Sequence, residues 1–232
     1  MDEAAVIAIA AEAREFSGIL RHASRVEPAG LPVQFARRVE FRGRRWLLAA
    51  NGPGPRLAAV AASEALDSSL ACAVVSTGVC GGLDPVLRIG DIVVATGIWG
   101  VDRIAVKRPG GGRKSVEGAV LSQDRVVIAV QQKKELWRQG AVAAEMEAEA
   151  VAREALRRGV TFYCVRAVSD RADQDLPLDF NELRDAEGRF STPKILKCAI
   201  ANPGSIPGLI RLARQARIAS LALGEYFAEC EF

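Results

Sequence analysis

Four short, nearly unbroken apolar runs constrain this chain more than any other feature: Ala4 to Ala11, Cys72 to Thr77, Ile92 to Ala95 and Thr161 to Val168. They are short for helices, and the last, β-branched and aromatic with no alternation of polarity, reads as a central strand covered on both sides. Covered strands need helices to cover them, and helical patterns do fall between the runs. The class that follows is α/β, a mixed central sheet flanked by helices, in one domain over residues 1–232. Half of the 232 residues are hydrophobic, enough to bury such a core.

The most informative stretch runs from Ala141 to Asp170. Ala148, Val151, Ala152 and Ala155 recur at i, i+3, i+4 and i+7, a narrow alanine-lined face that can approach a sheet closely. Glu149 with Arg153 and Glu154 with Arg158 are i, i+4 pairs in the favourable order, about 0.2–0.5 kcal/mol each, and Gly159 is placed to stop the helix. The following strand delivers Ser169 and Asp170 to its carboxyl end, the edge of an α/β sheet where ligands bind. Ahead of the helix, Glu145, Glu147 and Glu149 alternate around Met146, the only methionine besides the initiator.

The first apolar run turns through Glu12 and Glu15 into a helix reaching about Arg21, which sets Glu15 near the same edge. Val33 to Phe41 and Arg44 to Ala50 read as a hairpin around Gly43. Asn51-Gly52-Pro53-Gly54-Pro55 is a rigid turn opening a helix from Leu57 to Leu66. It has Leu57 where a dinucleotide fingerprint needs its third glycine, so it is either a plain connection or an N–H cradle for an anion, with Arg56 adding charge. Gly78, Gly81 and Gly82 let the backbone after Thr77 approach another segment or a ligand. Trp99 to Gly118 reads as a solvated loop, Val120 to Val130 is ambiguous between strand and helix, and Lys133-Lys134 marks an exposed end. Beyond Asp170 the chain is irregular until a last helix from Ile206 to Phe227. That helix sets Arg211, Arg214 and Arg217 to one side and Leu209, Leu212, Ala216, Ala219, Leu223 and Phe227 to the other.

Composition narrows the chemistry. A single histidine, His22, leaves histidine-based triads and metal sites one candidate, and the five scattered cysteines never form C-x-x-C. Carboxylates are therefore expected to run any catalysis, with no metal. The cysteine usage, the acidic rather than basic start at Asp2 and Glu3, and the lack of any apolar run near ~20 residues point to a reduced, cytoplasmic setting. A net charge of +3 with dispersed basic residues argues against a nucleic-acid partner.

Three motifs, in this order and spacing, resemble the nucleoside phosphorylase/nucleosidase family: T-G-V-C-G-G-L with I-G-D-I-V-V-A, then E-M-E-A-E-A-V-A, then V-R-A-V-S-D-R-A-D. That family includes purine nucleoside phosphorylases and methylthioadenosine/S-adenosylhomocysteine nucleosidases, and the match covers most of residues 4 to 174. N-G-P-G-P, G-G-L-D-P and the tail L-P-L-D-F-N with A-E-G-R-F are most similar to the subgroup associated with hopanoid biosynthesis, thought to remove adenine from adenosylhopane. The resemblance implies a three-layer fold and cleavage of the N-glycosidic bond of an adenine nucleoside, by phosphate or by water. It implies no organic cofactor, phosphate at most as co-substrate, and a homo-oligomer, a dimer if the nucleosidases are the guide. Such cleavage passes through an oxocarbenium-like sugar, so an acid must neutralise the leaving base while the ribose is held. Carried over by position, the resemblance assigns Glu147 to the ribose hydroxyls, Met146 to packing on the sugar, Asp170 to protonating purine N7 and Glu15 to orienting the attacking water. It places Glu145, Gly78, Gly81, Val126, Val127 and Ser169 in the substrate pocket; the turn read above as an anion cradle makes Gly52, Gly54 and Arg56 the candidate phosphate contacts.

The chain also departs from the family pattern. Hexameric phosphorylases bind phosphate with an arginine and a serine around the T-G step, where Ser76 and Val79 stand here. In the nucleosidases a phenylalanine in an S-G-D-A-F-like stretch stacks on adenine; the matching Ser122 to Val126 ends in valine. Only 26 residues, Thr96 to Leu121, precede it after the I-V-V-A strand, fewer than in the nucleosidases. A wall shortened in this way admits a bulky apolar 5′-substituent or weakens the activity. The competing readings are a methylthioadenosine/S-adenosylhomocysteine nucleosidase and a non-catalytic nucleoside-binding protein of the same fold. For the last helix, a stripe buried in the core is preferred to an interfacial role, in which three arginines would give weak, salt-sensitive contact with an anionic membrane surface.

Overall fold

In the computed structural model, which describes residues 4–232, the apolar runs become strands of one curled sheet. β1 (Ala5–Ala10) is buried along its whole length and leads through a 3-10 turn at Ala13–Phe16 into the short α1 (Ser17–His22). β2 (Ala23–Pro28), β3 (Phe35–Phe41) and β4 (Arg44–Ala50) form an antiparallel meander, followed by α2 (Pro55–Ser68) and β5 (Ala71–Gly82). Next come β6 (Ile92–Trp99), β7 (Arg103–Ala105), β8 (Gly110–Gly111), β9 (Val116–Ser122) and α3 (Val130–Arg138). β10 (Ala141–Glu145), α4 (Ala148–Arg157) and β11 (Phe162–Asp170) make up the informative stretch, and α5 (Thr192–Ala201), α6 (Ile206–Phe227) and β12 (Cys230–Glu231) complete the chain.

β5 is the hub of the sheet. It runs parallel to β1 on one side and to β11 on the other, then at Gly81 and Gly82 pairs antiparallel with Ala144 and Ala143 of β10. Because β10 also pairs with β9, β9 with β6 and β6 with β11, these five strands close on themselves, and β1, β4, β3 and β2 extend the hub as an open sheet. The glycines after Thr77 are thus part of a strand, and their closeness to other segments is real: at Gly78, with φ of 123°, a Cβ would lie 2.7 Å from Glu15 Oε1.

Helices cover both faces. α2 and α4 lay alanines against one side, Ala58, Ala61, Ala62 and Ala65 from the first and Ala148, Ala152 and Ala155 from the second. On the other, α1 and α6 bury Ile19, Leu223 and Phe227 against Val6, Leu48 and Val165. α1 crosses α6 so closely that a Cβ on Gly224 would stand 2.1 Å from the Gly18 carbonyl carbon. Both helical ion pairs form, Arg153 with Glu149 and Arg158 with Glu154.

Four expectations change. The polar stretch after Trp99 carries β7 and β8, held by pairing with β6 and with β12. The ambiguous segment is strand to Ser122 and then a connection. β2, α3 and β10 had no sequence reading, being short or lacking a clean apolar period, and α5 forms within the stretch after Asp170 that was expected to be irregular. Lys133, expected at an exposed end, is fully buried, while Lys134 is exposed. Among the described residues no helix is long and apolar enough to cross a membrane.

Candidate active site

A cavity of about 890 Å³ opens at the carboxyl ends of β5, β10 and β11. Of the residues singled out in the sequence, Glu15, Gly81, Glu145, Met146 and Glu147 line it. So do Val126, Val127, Ser169 and Asp170. Gly78 lies behind Glu15, against Arg166. Gly54 and Arg56 line a separate cavity of about 290 Å³ with Asp124 and Arg184.

The E-M-E segment works as a joint between β10 and α4. Glu145, the last strand residue, turns its carboxylate onto the first turn of α4, where Oε2 accepts from the Glu147 and Ala148 N–H groups at 2.9 Å. That satisfies free donors at a helix N-terminus, where negative charge is also favoured. Glu147 is the N-cap residue of α4, so it lies buried at the helix mouth. Its Oε1 accepts from Gly54 N–H at 2.9 Å and its Oε2 faces Arg166 Nη1 at 3.4 Å.

Arg166, absent from the sequence reading, anchors this cluster. It sits fully buried in the middle of β11 and donates through Nη2 to Ser76 Oγ at 2.7 Å and to Glu145 Oε2. Glu15 closes the group, accepting from Val79 N–H and Glu12 N–H, each at 2.8 Å. Two buried carboxyls, Glu145 and Glu147, therefore share one guanidinium, and the buried Glu15 carboxyl stands close by. Burial pushes Glu147 up to about 8, with Glu145 and Glu15 adding to the rise and Arg166 opposing it. The signal in the sequence was a lone arginine inside an otherwise apolar strand, since a charge in that place must find partners.

Asp170 faces a second missed residue. Lys133 Nζ donates to Asp170 Oδ2 at 2.5 Å, to the Arg171 carbonyl at 2.8 Å and to the Gln174 carbonyl at 2.9 Å. Three acceptors match the three N–H groups of an ammonium. Ser169 Oγ donates to Asp170 Oδ1 at 2.9 Å. Lys133 turns inward because it shares a face of α3 with Val130 and Leu136, three residues away on either side.

Two backbone segments finish the polar end. Asn181 clamps Val126, its Oδ1 accepting from the N–H at 2.8 Å and its Nδ2 donating to the carbonyl at 3.1 Å. The N–H and carbonyl of Val127, at the cavity wall, have no hydrogen-bond partner among the described residues. In the Gly52–Gly54 turn both glycine amides are engaged within the protein, Gly52 with the Ala11 carbonyl and Gly54 with Glu147, and Arg56 donates to the Glu187 carbonyl. The far end of the cavity is apolar, walled by Phe180, Phe190, Ile195, Leu209 and Leu212. Part of the stripe expected to lie in the core, Leu209, Leu212 and Ala216, thus faces the cavity, and only Ala219, Leu223 and Phe227 are core.

A family model described as the phosphorylase superfamily matches residues 6–111 and 101–192, nearly the whole sheet and every residue of the polar end. The chain belongs to the phosphorylase superfamily. Solved structures of superfamily enzymes share its fold. The 5′-methylthioadenosine/S-adenosylhomocysteine nucleosidase of Neisseria meningitidis, in complex with methylthio-immucillin-A, is 24% identical, with a TM-score of 0.64 over 96% of this chain and 99% of that one. Futalosine hydrolase of Helicobacter pylori is 18% identical, with a TM-score of 0.65 over 95% of each chain. The nucleosidase of Colwellia psychrerythraea, in complex with adenine, is 18% identical, with a TM-score of 0.63 over 95% of this chain and 96% of that one.

Proposed function

We propose that this phosphorylase-superfamily protein cleaves the N-glycosidic bond of an adenine nucleoside that carries a bulky apolar 5′-substituent. Adenosylhopane is the substrate that the sequence resemblance suggests. The observation that carries the reading is one continuous cavity with buried carboxylates at one end and an aliphatic and aromatic wall at the other, larger than a base and ribose need. The nucleosidases and futalosine hydrolase that share the fold support the reaction class.

In this reading Glu147 accepts from the ribose hydroxyls and Met146 packs on the sugar. Val127 offers one donor and one acceptor, the complement of adenine N1 and its 6-amino group. As the bond from C1′ to N9 breaks, its electron pair leaves with the base, and a proton delivered through Asp170 to N7 lets adenine depart neutral. Water adds to C1′ and gives its proton to Glu15. The engaged amides of Gly52 and Gly54 favour water over phosphate as the nucleophile.

Incubating the protein with methylthioadenosine, S-adenosylhomocysteine and a 5′-long-alkyl adenosine, with and without phosphate, tests this by chromatography of base and sugar. Free adenine and free ribose product are expected, fastest from the apolar substrate and unchanged by phosphate. Preference for methylthioadenosine would make the protein an ordinary nucleosidase, sugar 1-phosphate would make it a phosphorylase, and no adenine from any substrate would leave it a binding protein.

A further inference from the structure

The inner faces of α5 and α6 wall the apolar end of the cavity, and their outer faces carry a one-sided charge. From Thr192 to Gly224 there is no aspartate or glutamate, whereas Lys194, Lys197, Arg211, Arg214 and Arg217 all fall there. With a whole-chain net charge of +3, the remainder of the protein is net acidic. Lys194 reaches the Arg184 carbonyl; the other four cations have no ion-pair or hydrogen-bond partner among the described residues.

Aliphatic side chains stand exposed among these cations: Leu196 and Ile200 on α5, the latter 70% exposed, and Ile206, Ile210 and Ile218 on α6. Ile206, Ile210, Arg214 and Ile218 follow one another at four-residue steps, so the arginine interrupts a row of isoleucines on a single ridge. Ala213 and Arg217 are exposed and also line the cavity, which marks the rim where its mouth meets this face.

We propose that the α5–α6 face docks on an anionic lipid bilayer, its isoleucines at the acyl boundary and its cations among the headgroups, with the cavity mouth turned to the membrane. Charge complementarity selects this occupant over a second copy of the chain, because a two-fold interface through the face would set the same unpaired cations against one another. The inference rests on the composition of the surface and not on the reaction proposed above, so its test reads binding alone.

Flotation of the full chain is measured with vesicles of phosphatidylcholine alone and with about one-third phosphatidylglycerol. The wild type is expected to float with the anionic vesicles at low salt, to remain behind with neutral ones, and to be released at about 0.5 M salt. Each cation near such a surface contributes about fivefold in partitioning, so neutralising Lys197, Arg211 and Arg214 to Gln is expected to weaken binding roughly a hundredfold. Ile200→Ser with Ile210→Ser weakens it through the apolar contact while leaving the charge intact. All five positions are exposed, and matching thermal midpoints show that the variants fold. The proposal is overturned if the wild type stays unbound with anionic vesicles at low salt. Binding that ignores both sets of substitutions overturns it too, as does a dimer in sedimentation that Ile200→Ser with Ile210→Ser dissociates, since the face is then a self-interface.

Discussion

The role proposed for Glu147, holding a sugar diol, suits an anion, yet its carboxyl is buried beside two others with one arginine nearby, and the stability of the protein should register the conflict. Below the ordinary value of 4.5 Glu147 holds its proton in the folded and unfolded chain alike. Between 4.5 and about 8 the unfolded chain releases that proton and the folded one keeps it, so stability falls as pH rises through this window. Glu147→Gln removes the conflict: its stability should match the wild type near pH 5 and exceed it by a few kcal/mol near pH 8, while turnover drops sharply. Denaturant unfolding at the two pH values checks this, and parallel curves for the two proteins would show that the proton is held elsewhere. Lys133→Met should cost about 3–5 kcal/mol, because it strands the Asp170 charge in the interior. Adding Asp170→Asn should restore most of that loss; a double variant no better than the sum of the singles would refute the pairing. The residues naming this site were legible as motifs, since E-M-E and S-D bring their own spacing. Arg166 and Lys133 were harder to read, because their partners lie 21 and 37 residues away in sequence and only the folded sheet brings them together.

At the scale of elements, the long helices and central strands could be read from periodicity alone. α6 begins and ends at the residues expected, and β11 starts one residue later and ends two residues later than expected. The elements that escaped owe their structure to pairing rather than to pattern. β8 is two glycines with no strand propensity, formed because β12 supplies the ladder, and β10 is five residues held between β9 and β5. α5 escaped because its aliphatic residues point outward as well as inward. The close crossing of α1 and α6 also rests on absent side chains, Gly18 of α1 against Gly224 of α6. Gly224→Ala forces a methyl into backbone atoms that cannot rotate away, so a loss of about 1–3 kcal/mol or more is expected, read as a lower thermal midpoint. An unchanged midpoint would mean that the helices separate freely at this point.

For the molecule as a whole, the order of strands in the sheet differs from their order in the chain. β5 and β6 are neighbours in sequence, yet β11 lies between them, and the ring through β9 and β10 closes only around β11. During synthesis, β6 and β9 therefore leave the ribosome with apolar faces and reach β5 only through the short pairing of β10, and the ring stays open until residue 170 has been made. The first half of the chain has less to wait for, since β1, β4 and β5 can pair as soon as they emerge. A nascent chain halted before β11 should carry a protected N-terminal sheet and a protease-sensitive middle, the kind of exposed, strand-rich segment that holding chaperones bind. The arrangement that buries Arg166 at the centre of the site thus makes the strand bearing it the last part of the sheet to be supplied.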